Sequence, residues 1–285
     1  MNARKTVKRL LPKAVRSVIR RTCEDLTDSS ADCLDWLSGR RDPLMPPRRL
    51  MRNVGGDFKG VGETFVRHLV ELCRLQPHEA VLDVGCGCGR MAVPLTRYLN
   101  GEGSYEGFDT DARAVQWCAR HITSKHPRFH FQVSDVHSRW YNPRGTHQAS
   151  EYKFPYGDKT FNCVFLTSVF THLLPEGMEN YLSEVSRVMD DGGRCLITLF
   201  LLNGESLPLI KDGAGGLEFT HDCGAYRIAD PDVPERAVAY DEAFVRKLYG
   251  KCGLHIQEPI RYGSWCGRSR AFDYQDIVVA TKTPR

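Results

Sequence analysis

No stretch of about 18 uninterrupted apolar residues occurs in the 285-residue chain, which excludes an ordinary membrane-spanning helix. The start of the chain has no apolar core of the signal-peptide type, so a cytoplasmic location is expected. No C-x-x-C pair occurs either. The eleven cysteines are odd in number and scattered, which fits free thiols in a reducing compartment better than a disulfide framework. Cys86 and Cys88 form a C-x-C pair with no cluster of further ligands nearby, so they read as small fillers and no metal site is expected. The phosphate-loop pattern G-x-x-x-x-G-K-[ST] is missing, which disfavours a nucleotide triphosphate held in that mode.

Acidic residues are missing from one segment. Residues 1–21 carry eight Lys or Arg and no Asp or Glu, leaving 31 basic against 35 acidic side chains in the rest of the chain. A body of that balance lacks the broad basic face of a nucleic-acid binder, and no nucleic-acid partner is expected. Within the arm, Val7, Leu10, Leu11, Ala14, Val15, Val18 and Ile19 recur at helical spacing, interrupted by Pro12, where a helix can start. Such a basic amphipathic helix suits peripheral contact with an anionic membrane through residues 1–21, or packing on its own domain with its charges solvated. The stretch "GRRDPLMPPRRL" (39–50), with three prolines and four arginines, reads as a linker or irregular wrap. Residues 1–52 are therefore expected to be an arm with its linker, and 53–285 one domain.

From residue 80 onward, short apolar runs alternate with helical patterns. Strands are expected at 80–84, 104–108, 129–133, 161–167 and 192–202, with later ones at 255–262 and 274–282. This alternation predicts an α/β fold, a Rossmann-like, doubly wound, mostly parallel seven-stranded sheet with helices on both faces. Insertions near 137–156 and 203–238 interrupt the pattern.

The richest stretch is "AVLDVGCGCGR" (80–90). An apolar strand ends at Asp83, and Gly85, Gly87 and Gly89 follow at alternate positions. A backbone without Cβ atoms can touch a ligand. Asp109 ends the next strand 20 residues after Gly89, where a carboxylate can accept hydrogen bonds from ribose hydroxyls. The dinucleotide pattern G-x-G-x-x-G is not matched, because Arg90 stands at its sixth position. Asp83 beside the loop opposes a pyrophosphate and suits a ligand bearing a cation or an amine.

"VLDVGCGCGR", "YEGFDTD", "FQVSDV" and "VMDDGG", in this order and spacing, resemble the motifs of class I S-adenosylmethionine-dependent methyltransferases over roughly residues 55–285. The resemblance implies S-adenosylmethionine as cofactor. It implies that Asp83, Gly85, Gly87 and Gly89 line the methionine part, that Asp109 holds the ribose, and that Asp135 meets the adenine amino group with Val136 beside the ring. Gly192 and Gly193 would turn into the fifth strand; Asp191 departs from the proline many members carry there. The Asn-Pro-Pro-Tyr type of motif of DNA amino-methylation is missing after the fourth strand, and no Pro-Cys pair offers a cytosine C5 nucleophile.

A sulfonium already activates its methyl group, so such an enzyme mainly aligns a nucleophile, and a hydroxyl acceptor gains from a base. "TSVFTHLLPEG" (167–177) offers His172, either as that base or as a loop support. "AVAYDEAF" (237–244) offers Tyr240, which can face an acceptor, and Asp241, which reads as a helix N-cap. Aromatic and polar residues in the insertions suit a small-molecule or glycan acceptor such as a sugar, glycolipid or secondary metabolite, and equally suit loop packing. The tail 261–282 is similar to those of glycan- and metabolite-modifying bacterial methyltransferases. A non-catalytic cofactor-binding partner protein and an NAD(P)-dependent oxidoreductase are the competing classes. The oligomeric state is not legible.

Overall fold

Of the chain, the computed structural model describes residues 13–39, 42–139 and 141–283. Basic positions 4–9, Pro12 and Trp140 lie outside these residues, as do the side chains of 13–21, so the membrane reading of residues 1–21 falls largely outside them. Two compact units are formed, Met1–Phe58 and Lys59–Arg285.

In the first unit, helix α1 (Lys13–Leu37) meets a short helix α2 (Arg48–Val54). Of the stretch 39–50, read as a linker or irregular wrap, residues 48–50 are helical, as the start of α2. Pro47, with its fixed φ, precedes α2, and Leu50 is buried beneath it. Arg48 Nη1 pairs with Asp32 at 2.8 Å, while Arg52 pairs with Glu24, Asp25 and Asp28. Arginine forks thus neutralise the acidic side of α1.

The second unit is organised by one sheet. Helix α3 (Phe58–Leu72) leads to β1 (Ala80–Val84), α4 (Ala92–Tyr98), β2 (Ser104–Asp109), α5 (Ala112–Cys118), β3 (Phe129–Val133) and β4 (Phe161–Leu166). Helix α6 (Pro175–Val188) and β5 (Met189–Leu199) follow. The second insertion holds α7 (Ser206–Lys211), β7 (His221–Asp222) and β8 (Tyr226–Ile228), with β6 (Leu201–Leu202) before it and β9 (Val238–Asp241) at its end; α8 (Glu242–Lys251), β10 (Leu254–Ile256) and β11 (Asp276–Lys282) follow. The order across the sheet is β10-β11-β5-β4-β1-β2-β3. Strands β1 to β5 run parallel, and β11 is antiparallel to both of its neighbours. The expected seven-stranded, Rossmann-like sheet is what forms.

The sequence explains the packing. Val81, Leu82 and Val84 are all essentially buried, as an internal parallel strand covered on both faces requires. In α6, Met178, Tyr181, Leu182, Val185 and Val188 recur at three- and four-residue steps and are all buried, with Pro175 in the first turn. Asp241 caps α8 by accepting from the Phe244 N–H at 3.0 Å, as its position suggests. Helix α3 runs through Gly60 and Gly62. A Cβ at Gly62 would lie 2.3 Å from the Arg90 carbonyl oxygen, so glycine there lets the helix approach the end of the glycine loop.

Two readings of strand length need correction. "GGRCLITLFLL" is not one strand. Asp276 accepts from the Leu201 N–H at 2.7 Å, and the chain leaves the main sheet at Phe200 to form β6 (Leu201–Leu202). "HIQEPIRY" gives β10 and, past Pro259, which has no N–H for a ladder, one bridge from Arg261 to Ile277. The insertion 203–238 is not a plain loop. It contains α7 (Ser206–Lys211), β7 (His221–Asp222) and β8 (Tyr226–Ile228), which with β9 (Val238–Asp241) make a second sheet, order β6-β9-β8-β7. Its own core holds Phe200, Phe219 and Trp265, in mutual aromatic contact.

Candidate cofactor and acceptor site

In an open parallel sheet, ligands bind beyond the carboxyl ends of the strands, near the reversal of strand order. Here that point lies between β1 and β4, and the glycine loop begins there. The Gly85 and Cys86 N–H groups both donate to the Phe108 carbonyl, at 2.9 and 3.1 Å, turning the chain sharply over β2. Gly85, Gly87 and Gly89 have φ of +82°, +53° and +81°. Side chains other than glycine rarely adopt these values.

Asp83 is fully buried. One of its oxygens accepts from the Tyr105 hydroxyl at 2.7 Å. The other is buried with no partner. Burial pushes this carboxyl up to about 7; the Tyr105 hydrogen bond pulls it down, and nearby Asp109 pushes it further up. Asp109 ends β2 beside the loop. It accepts from the Gly87 N–H at 2.7 Å and the Asp111 N–H at 2.8 Å, which oppose the upward push of its burial. Each of its oxygens keeps a lone pair for a ligand. Asp135 follows β3 and is exposed, its carboxylate held below the usual range by the Thr146 hydroxyl at 2.5 Å. Val136 beside it is buried and bridges to His147. The Ser134 N–H donates to the Asp109 carbonyl at 2.9 Å, so β2 and β3 deliver Asp109 and Asp135 side by side.

The residues expected to hold a cofactor are thus brought to one rim. The unpartnered buried oxygen of Asp83 and three acids at the strand ends oppose a pyrophosphate and fit a cationic ligand with ribose hydroxyls. Bare glycine backbone leaves room for it.

Residues 81–193 match the protein-family model described as a methyltransferase domain. This stretch is similar to a methyltransferase domain. The donor and acceptor set described above fits S-adenosylmethionine as cofactor. A curated relative, "Probable cobalt-precorrin-6B C(15)-methyltransferase (decarboxylating)" of Thermoplasma acidophilum, is 27% identical over 120 residues, 41% of this chain and 52% of the relative. The chain thus spans about half the length of that relative. Among solved structures, an S-adenosylmethionine-dependent methyltransferase of Methanosarcina mazei superposes with a TM-score of 0.52 at 19% identity, covering 75% of this chain and 98% of that one. A protein of Pyrococcus horikoshii OT3 gives 0.54 at 18% identity, covering 79% and 90%. At these identities the likeness is one of fold.

On the acceptor side, His172 lies in the turn Phe170–His172 after β4. Its Nδ1 bonds the Glu235 carbonyl at 2.9 Å, and its Nε2 meets the Tyr141 hydroxyl at 3.1 Å. Burial lowers its pKa, so the ring is neutral at pH 7. Tyr240 does not reach the rim. It is fully buried in β9, its hydroxyl donates to the Leu173 carbonyl, and burial holds it protonated. The reading of Tyr240 as facing an acceptor is therefore corrected; its hydroxyl ties the second sheet to the loop after β4.

The sequence reading missed a second set at this rim. Ser168, directly after β4, has φ of +60°, unusual for a residue with a Cβ. Its N–H donates to Thr198 Oγ1 at 2.8 Å and its hydroxyl to Gln275 Oε1 at 3.1 Å. Buried His68 of α3 pairs with Asp273 at 3.0 Å. No local pattern announces partners more than 100 residues apart. Among the described residues, no group of three or more His, Cys, Asp or Glu is placed to hold a metal.

Proposed function

We propose that this chain transfers the methyl group of S-adenosylmethionine to an oxygen of a small-molecule acceptor, a hydroxyl of a sugar, glycolipid or secondary metabolite, with His172 as base. The observation that carries the reading is the tautomer of His172. A backbone carbonyl only accepts, so Nδ1 holds the proton and Nε2 presents a lone pair. That lone pair faces the Tyr141 hydroxyl, which occupies the place an acceptor hydroxyl would take. His172 is three residues from Val169, which lies so close to Gly85 that a Cβ there would sit 2.5 Å from Val169 Cγ2. This proximity supports a base at the rim proposed to hold the cofactor.

The chemistry balances simply. The acceptor oxygen forms a bond to the methyl carbon, the carbon–sulfur bond breaks with its electrons going to sulfur, and the O–H proton passes to His172 Nε2. The products are a methyl ether and S-adenosylhomocysteine. Both insertions serve this geometry: Glu235 carries the carbonyl that orients His172, and its carboxylate accepts from the Ser138 hydroxyl at 2.7 Å and the Arg139 N–H at 2.6 Å.

The test has two stages. Calorimetric titration with S-adenosylmethionine, S-adenosylhomocysteine and NADH comes first; binding of NADH alone would sink the reading. Transfer of a tritiated methyl group to a panel of free sugars, glycolipids and phenolic glycosides then follows. Labelled ethers, lost in His172→Ala, support oxygen transfer. Labelled carbon centres point instead to the carbon chemistry named for the archaeal relative. Binding without turnover on any acceptor leaves the non-catalytic class.

A further inference from the structure

Of the eight large hydrophobic side chains exposed among the described residues, four lie within one stretch of α1: Leu26 (65%), Leu34 (67%), Trp36 (71%) and Leu37 (67%). At 100° per residue, Leu26, Leu34 and Leu37 share one face of the helix, with exposed Cys23 and Cys33 among them and Trp36 at its border. Glu24, Asp25, Asp28, Asp32 and Asp35 project from the opposite face and are taken up by Arg48 and Arg52 of α2. The helix is therefore two-sided: one face is bound to α2 through ion pairs, the other is apolar and open.

Exposed apolar surface concentrated in this way marks an interaction site rather than chance. The charge of the preceding segment of the sequence says what the partner is. Residues 1–21 hold eight Lys or Arg and no acid, and α1 runs on from Lys13 without a break to this face. A second copy of the chain would bring two such cationic arms together. A nucleic acid would use the cations but leave the leucines and Trp36 in water. An anionic bilayer takes both: headgroups match the cations, and the acyl boundary takes the apolar face. Tryptophan at the edge of such a face is suited to headgroup depth. Among the described residues no helix is long and apolar enough to cross a membrane, so the helix would lie in the plane of the surface.

We propose that α1 is a docking helix for an anionic lipid bilayer, with Leu26, Leu34, Trp36 and Leu37 seated at the headgroup–acyl boundary and the net positive charge of the sequence 1–21 favouring anionic lipid. Two weak signals, one apolar and one electrostatic, together give stable but reversible attachment.

The test is co-sedimentation of the full-length protein with extruded vesicles. One set is phosphatidylcholine, and the other is phosphatidylcholine with about one third phosphatidylglycerol. Binding is expected to the anionic vesicles only. The double variants Leu26→Ser/Leu34→Ser and Trp36→Ser/Leu37→Ser are each expected to weaken it about tenfold or more. These side chains are exposed, so the fold should be unchanged, and circular dichroism with a thermal melt checks that. No sedimentation with either vesicle would overturn the proposal. So would equal binding to neutral vesicles, or anionic binding that both variants retain, since that leaves only a charge effect. A concentration-dependent dimer in light scattering that both variants dissolve would assign the face to a second copy and also overturn it.

Discussion

The Tyr105 hydroxyl donates to one oxygen of Asp83 at 2.7 Å, while the other oxygen of the same buried carboxylate has no partner. Half of the group is satisfied by the fold and half awaits a ligand. Its carboxyl is pushed up to about 7 by burial. The unfolded chain releases this proton near pH ~4. Between these values the native state binds the extra proton, so ligand-free stability falls as pH rises from about 4 to about 7. Asp276, pushed up to about 6 by burial, acts in the same direction. Urea unfolding at pH 5 and pH 8 should show this decline, and Asp83→Asn should make it shallower. A cationic ligand favours the ionised form, so S-adenosylmethionine should bind about tenfold more tightly at pH 8 than at pH 6. Calorimetry at the two values checks it, and flat binding would separate Asp83 from the cofactor.

Gly89→Ala should damage loop and ligand together. Its φ of +81° strains any side chain, and a Cβ would lie 2.8 Å from Ile122 Cδ1 and 3.1 Å from Cys118 Sγ. Strain of this kind costs about 1–3 kcal/mol. A lower melting temperature and at least about tenfold weaker S-adenosylmethionine binding are expected. Gly101→Ala is the control, because nothing lies within 4 Å of its Cβ and its φ is not positive.

His172→Ala should lower kcat by about 10²–10⁴ on a hydroxyl acceptor, the usual worth of a general base. Cofactor affinity should change less than about twofold, since His172 contacts the insertions rather than the glycine loop. Burial lowers the His172 pKa, so the acid limb of kcat/KM should fall below the ordinary histidine value of about 6.5. An acid limb above neutrality would assign the base elsewhere.

Asp276→Asn should destabilise the molecule well beyond an ordinary polar substitution. The buried carboxylate accepts from the Leu201 and Gly263 N–H groups, from Trp265 Nε1 at 2.7 Å and from Arg268 Nη1 at 3.2 Å. Arg268 is itself buried, and removing one partner of a buried pair costs about 3–5 kcal/mol. Urea unfolding gives the magnitude. Hydrogen exchange should quicken first at Leu201 and across residues 226–240, where the second sheet depends on this anchor.

How much of this was legible follows from the range of each interaction. Three glycines at alternate positions announced a bare turn because positive φ is a property of single residues. Asp109 was found because it ends β2, and Asp83 because it stands two residues before Gly85, the first glycine of the loop, while Asp135, two residues past β3, came from the resemblance. Periodicity carried the helices and the order of the main strands. The second sheet escaped because β7 and β8, at two and three residues, are too short to show a period. Tyr240 read as a candidate because composition does not tell a buried phenol from an open one; only the packing of β9 against the loop after β4 decides that. The carbonyl that sets the His172 tautomer lies 63 residues away, and the partner of Ser168 lies 107 away. Local chemistry determined the cofactor rim from the chain alone, because each of its parts needs only its own neighbours. The acceptor side was decided by tertiary structure, because its parts are contacts between segments that meet only when the sheet has closed its order.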